Sequence, residues 1–135
     1  MIKEAKERTA KLQLKMQALD IPLAILTDES SIAYLAGFWG YLGVEFGRPT
    51  MLIIFANSDP LIITPLVEAE MVSEMTWIER VDIWEDTGDN TWSKYLYSAI
   101  YSKIGNDPKF LWIEKKQIPQ IVKIFLDETF KLTKI

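Results

Sequence analysis

The chain has 135 residues, a quarter of them charged, with 19 acidic against 15 basic side chains and a net charge of −4. That length fits one domain with a real core, and an acidic chain with dispersed Lys and Arg excludes general nucleic-acid affinity, because phosphate neutralisation needs clustered cations. Cysteine and histidine are both absent, which removes disulfides, thiolate metal sites, cysteine nucleophiles, the commonest general base and the Ser-His-Asp arrangement together.

An apolar share of 49% is that of an ordinary globular protein. No apolar stretch approaches the roughly 20 residues that span a bilayer, and Met1 to Glu7 is too polar and acidic for a signal peptide. The expectation is a cytoplasmic, one-domain protein over residues 1–135, with no membrane partner and no nucleic-acid partner.

Ala5, Thr9, Leu12, Met16 and Leu19 recur at spacings of four and three, which predicts a first helix with these residues inward and Lys6, Lys11 and Lys15 in water. Pro22 closes it, and Leu23 to Thr27 reads as a buried strand. Thr50 to Phe55 and Leu61 to Thr64 flank the turn-forming Asn57-Ser58-Asp59-Pro60 and read as an antiparallel hairpin. Thr64 and Pro65 offer an N-cap and first residue for a short helix to about Thr76, with Glu68 and Glu70 near its positive end. Arg80 to Trp84 is a candidate strand.

Trp92, Tyr95, Leu96, Ala99, Ile100 and Ile104 form one stripe of a helix from Thr91 to Ile104, stopped at Gly105, with Tyr97 and Tyr101 on a more exposed face. Phe110 to Ile113 reads as a strand. Pro119 to Thr129 reads as a helix with Ile118, Ile121, Val122, Phe125 and Leu126 inward, and Phe130 to Ile135 as a last strand. Strands alternating with helices in the second half favour parallel pairing there. The fold class is therefore α/β, a mixed sheet flanked by helices.

Two segments are candidates for function. Asp82, Glu85, Asp86 and Asp89 gather acid around Asp86-Thr87-Gly88-Asp89-Asn90, but the spacing does not make a calcium loop, and the plainer reading is a solvated loop with Asp89 or Asn90 capping the next helix. Gly37 to Arg48 concentrates aromatics among glycines without helix or strand period. Phe38, Trp39, Tyr41, Phe46 and Arg48 are residue types that anchor interfaces, and an Arg grips a carboxylate by two parallel hydrogen bonds. The competing reading is an ordinary crossover loop with Phe38 and Phe46 turned inward.

The run Ser31-Ile32-Ala33-Tyr34-Leu35-Ala36-Gly37-Phe38, preceded by Arg8, Leu12, Met16, Leu19 and the strand Ala24 to Thr27, resembles the amino-terminal domain of the creatinase, aminopeptidase P and prolidase family. Ser31 stands where the family usually has Asn, and Ala36 where it usually has Thr. More weakly, Ile63 to Glu70 resembles the family's strand-to-helix passage, and Trp112-Ile113-Glu114 its late strand. The resemblance implies the creatinase/prolidase amino-terminal fold with its ribonuclease H-like motif.

It also implies a role without catalysis: no cofactor in this chain, and a divalent metal (Mn, Co or Zn) held by carboxylates and a histidine in a separate pita-bread catalytic domain that would follow. Phe46-Gly47-Arg48 resembles the Phe-Gly-Arg of creatinase-type members, which implies that Phe46 and Arg48 help hold a small substrate at a neighbouring subunit in a homodimer. The substrate would be an Xaa-Pro peptide, as for an Xaa-Pro dipeptidase or aminopeptidase, or a small amidino compound, as for a creatinase-like amidinohydrolase. The alternative is a free-standing module binding a small carboxylate ligand or a partner protein. An independent enzyme would need a carboxylate or Lys mechanism.

Overall fold

The computed structural model describes residues 2–38, 49–85, 91–104, 111–114 and 116–130. Helix α1 (Ile2–Ala18) buries Ala5, Thr9 and Met16, while Lys6, Lys11 and Lys15 face water. Leu19, expected inward, is 54% exposed, because the helix has already ended. Asp20 takes a left-handed conformation with φ 57°, its N–H donates to the Gln17 carbonyl and the Ile21 N–H to that of Met16. This is a Schellman stop, and Ile21 packs with Met16 in one core cluster, as that motif requires.

Strand β1 (Leu23–Leu26) and helix α2 (Glu29–Ala36) follow. Helix α2 is not among the elements given by periodicity, although Ile32, Leu35 and Ala36 at helical spacing are its buried residues. Next come β2 (Met51–Phe55), β3 (Leu61–Pro65), one 3₁₀ turn (Leu66–Glu68) and α3 (Ala69–Met75). Thr64 and Pro65 therefore end a strand rather than open a helix, and Pro65 caps the 3₁₀ turn without a side-chain bond. Strand β4 (Arg80–Trp84), helix α4 (Trp92–Ile104), strand β5 (Trp112–Ile113) and helix α5 (Gln120–Thr129) complete the described chain. Ile121, expected inward, is 47% exposed, because Val122 and Leu126 set the buried line of α5. Gly105, Asp86 to Asn90 and the tail beyond Phe130 lie outside the described residues.

The sheet order is β4-β3-β2-β1-β5. β2 pairs antiparallel with both β1 and β3, whereas β3 with β4 and β1 with β5 are parallel, so hairpin and crossover connections coexist as expected. Its central strands are buried on both faces, and alternate residues feed two cores. Leu23, Ile25, Met51, Ile53, Leu61 and Ile63 meet α4 and α5 through Leu96, Ile100, Val122 and Leu126. Ala24, Leu52, Ile54 and Ile62 meet the other layer through Met16, Ile32, Leu35 and Val72. Each fully buried aliphatic side chain contributes about 1.5–3 kcal/mol, so the two-faced sheet is the main store of stability.

Helix α1 is also held by polar contacts to the hairpin. Gln13 Nε2 donates to the carbonyls of Phe55 and Ser58, both at 2.9 Å, and Gln17 Nε2 to that of Ala56 at 2.6 Å.

Two predictions concern stability. Asp20→Gly relieves a left-handed Cβ and removes a negative charge from a helix C-terminus, so it should stabilise the chain by about 0.5–1 kcal/mol, read from chemical denaturation. Asp82, on edge strand β4, has its carboxyl pushed above the ordinary aspartate value by burial, against the opposing influence of Arg80. A raised folded value means that its contribution is full below the unfolded value of about 3.9 and is lost as pH rises through the folded one. Asp82→Asn, which mimics the protonated form, should therefore raise the melting temperature at pH 7, with the gain vanishing below about pH 3.9.

Candidate functional site

The segment 39–48 joins α2 to β2, and the described residues on either side of it show how its ends are held. Helix α2 comes first, and its N-terminus is capped from far away. Asp28 occupies the N-cap position but makes no side-chain cap bond. Instead Glu114, just after β5, accepts the N–H groups of Thr27 and Asp28 on Oε1 at 2.7 and 2.9 Å, and the Ser31 hydroxyl on Oε2 at 2.5 Å. The carboxylate thus satisfies the N-cap N–H and the one before it, and its charge complements the positive end of the helix dipole. Thr27 adds a bond from Oγ1 to the Gln117 carbonyl at 2.9 Å.

The C-terminus of α2 has the reverse problem, carbonyls without partners. Arg8 Nη1 reaches the Tyr34 carbonyl at 3.0 Å, with its guanidinium 4.2 Å from the Tyr34 ring centroid. The Leu35 carbonyl accepts from both Thr9 Oγ1 at 3.0 Å and Trp77 Nε1 at 2.8 Å, and the Ala36 carbonyl from Thr76 Oγ1 at 2.6 Å. Gly37 then turns the chain at φ 75° and returns its N–H to Ala33. A Cβ at Gly37 would meet the Met75 carbonyl only at 3.6 Å, so backbone angle, not space, calls for glycine.

The other stem begins at Pro49, whose carbonyl accepts Trp84 Nε1 at 3.0 Å. Beside it the Thr50 hydroxyl donates to Glu68 Oε2 at 2.9 Å and lies 3.3 Å from the Thr64 hydroxyl. With the Thr50 proton committed to the carboxylate, Thr64 is the donor of that second bond. Glu68, expected to face the dipole of the following helix, is thus a buried carboxylate at the root of β2, 1% exposed. The two stems sit at opposite ends of β4: Trp77 precedes the strand and Trp84 closes it, and its five residues span about 16 Å.

Among the residues singled out from sequence, Phe38 is 1% exposed and belongs to the core cluster with Leu35 and Val72, which is the inward placement. Trp39, Tyr41, Phe46 and Arg48 lie outside the described residues, as do Asp86 and Asp89 of the acidic loop. Among the described residues, no three His, Cys, Asp or Glu side chains gather to hold a metal ion. No described helix is long and apolar enough to cross a membrane. Trp77, Trp84, Glu68 and Glu114 were not legible as parts of the frame, because each acts on main-chain or hydroxyl groups distant in sequence.

Fold and frame together define an α/β/α layered domain that holds one connecting segment at both ends. A family model described as the creatinase/prolidase N-terminal domain matches residues 8–130, and the chain belongs to that family. Among solved structures, the creatinase/prolidase N-terminal domain of an X-Pro dipeptidase from Streptococcus pyogenes superposes with a TM-score of 0.76 at 17% identity, covering 96% of this chain and 99% of that one. The N-terminal domain of Xaa-Pro dipeptidase from Lactobacillus brevis gives 0.76 at 23% identity over 91% of this chain and 87% of that one. Recombinant prolidase from Thermococcus sibiricus gives 0.75 at 22% identity, covering 96% of this chain but 34% of that one. The chain thus spans about a third of that prolidase. No curated protein sequence matches the chain.

Removing the remote cap should be costly. Glu114→Ala leaves two N–H groups and the Ser31 hydroxyl without their charged acceptor, and should destabilise the chain by about 2–3 kcal/mol. Urea unfolding of the two proteins checks this, and Ser31→Ala should cost less because only one of the three bonds is lost.

Proposed function

We propose that the chain serves as the non-catalytic amino-terminal domain of a metal-dependent hydrolase, an Xaa-Pro dipeptidase or aminopeptidase before a creatinase-like amidinohydrolase. In this reading it works in the cytoplasm, pairs subunits as a homodimer and completes a substrate pocket, and the divalent metal belongs to a catalytic domain outside residues 1–135. The observation that carries the reading is the double anchoring of segment 39–48, together with a family match spanning 8–130. With the carbonyls of Leu35, Ala36 and Pro49 held by side chains of other elements, the points at which the segment leaves α2 and enters β2 are set by the rest of the fold. Phe46 would supply an apolar wall and Arg48 a grip on a substrate carboxylate, with Trp39 and Tyr41 at the subunit boundary. The preference for Xaa-Pro peptides rests on the names of the similar structures, several of which are Xaa-Pro dipeptidases or prolidases.

The test is made in the longer protein. Arg48→Ala should raise KM for carboxylate-bearing substrates by an amount equivalent to about 1.5–3 kcal/mol, the range for hydrogen bonds to charged groups, with kcat little changed if ground and transition states are held alike. Unchanged kinetics would remove the pocket-completing role. Residues 1–135 alone should turn over neither Xaa-Pro dipeptides nor creatine with Mn, Co or Zn added, and metal-dependent turnover by this chain would overturn the reading.

A further inference from the structure

At the end of β4 opposite Pro49, a cavity of about 200 Å³ is lined by Lys6 from α1, Asp59 and Pro60 from the β2–β3 turn, and Trp77, Glu79 and Arg80 from the entry to β4. Its chemistry is unlike that of the broader depression, about 580 Å³, between the end of α1 and the hairpin, where Asp20 is the only charged lining residue. Here two cationic and two anionic side chains from three separate elements surround one concave space. Among the described residues no ion pair or hydrogen bond joins Lys6 or Arg80 to Asp59 or Glu79. Arg80 also acts on the carboxylate of Asp82, so it is shared between that residue and the cavity.

The apolar part of the wall is fixed. Trp77 cannot swing freely, because its Nε1 is bonded to the Leu35 carbonyl at 2.8 Å, and Lys6 Nζ stands 5.8 Å from the centroid of its ring. Pro60 is buried. The volume falls below the roughly 300–1,000 Å³ of pockets for drug-sized ligands. Balanced charge disfavours a polyanion such as a nucleotide, and a purely apolar guest would desolvate four charged groups without replacing their partners.

We infer that this cavity binds a small zwitterion, a free amino acid or a dipeptide, whose carboxylate meets Lys6 and Arg80, whose ammonium meets Asp59 and Glu79, and whose apolar body lies on Trp77 and Pro60. None of the lining residues belongs to 39–48, and the inference does not depend on the function proposed for that segment.

The experiment is a two-dimensional NMR titration of the 135-residue chain with alanyl-alanine and, separately, with its N-acetylated and amidated counterpart. The free dipeptide should shift the amides of Lys6, Trp77, Glu79 and Arg80 and saturate in the millimolar range, while the blocked compound should bind at least about tenfold more weakly, since both charges are lost. Lys6→Met and Glu79→Gln, both at exposed positions that leave the core alone, should each weaken the free dipeptide about three- to fivefold. The inference is overturned if neither compound shifts these amides, if both bind alike, if the two variants bind as the parent does, or if the shifts fall in 39–48 instead. The last result would leave the proposed function untouched, just as an unchanged Arg48→Ala enzyme would leave this cavity's titration untouched.

Discussion

Everything that segment 39–48 can do depends on how a helix of eight residues is kept in place. An isolated helix of that length does not hold in water, because nucleation costs more than so few hydrogen bonds return. In α2 the deficit is met from outside at both ends. Glu114 accepts the N–H groups of Thr27 and the N-cap Asp28 and the Ser31 hydroxyl, and Arg8, Thr9, Thr76 and Trp77 supply the donors that the last turn lacks. Three other elements thus converge on one short helix. The sheet gives it a floor through Ile32, Leu35 and Ala36, but the polar bonds fix its register and the point at which the chain leaves it.

This arrangement explains why the sheet and the site were unequally readable. Strands such as Met51 to Phe55 announce themselves, since a five-residue apolar run bounded by turn residues has few other uses. The hairpin was legible in Asn57 to Pro60, and the long helices in their stripes. Boundaries failed where a local rule met a tertiary demand. Thr64 looks like an N-cap, but its hydroxyl is spent on Thr50 at the root of β2. Leu19 fits the helical stripe, but the chain has already turned at Asp20.

The candidate site was legible only in its middle. Aromatics and glycines mark Gly37 to Arg48 as unusual by composition, whereas nothing in composition marks Glu114 as the cap of a helix 86 residues earlier. Contacts of this kind have no local pattern, because the partner is a main-chain group that every residue possesses. The run Trp112-Ile113-Glu114 was singled out as a late strand, but nothing in it announced that Glu114 reaches the start of α2. Ser31 belongs to the same contact, its hydroxyl donating to the carboxylate from a position that carries no helical stripe.

Both stems of the segment are gripped by their carbonyls, Leu35 and Ala36 on one side and Pro49 on the other. An indole or hydroxyl that binds a carbonyl is indifferent to the side chain the residue bears. The frame thus fixes the two points between which the connecting chain must run, and these three bonds do not themselves depend on which side chains the stem residues carry. What such bonds read is the path of the main chain, so they act as a gauge of where α2 ends and β2 begins.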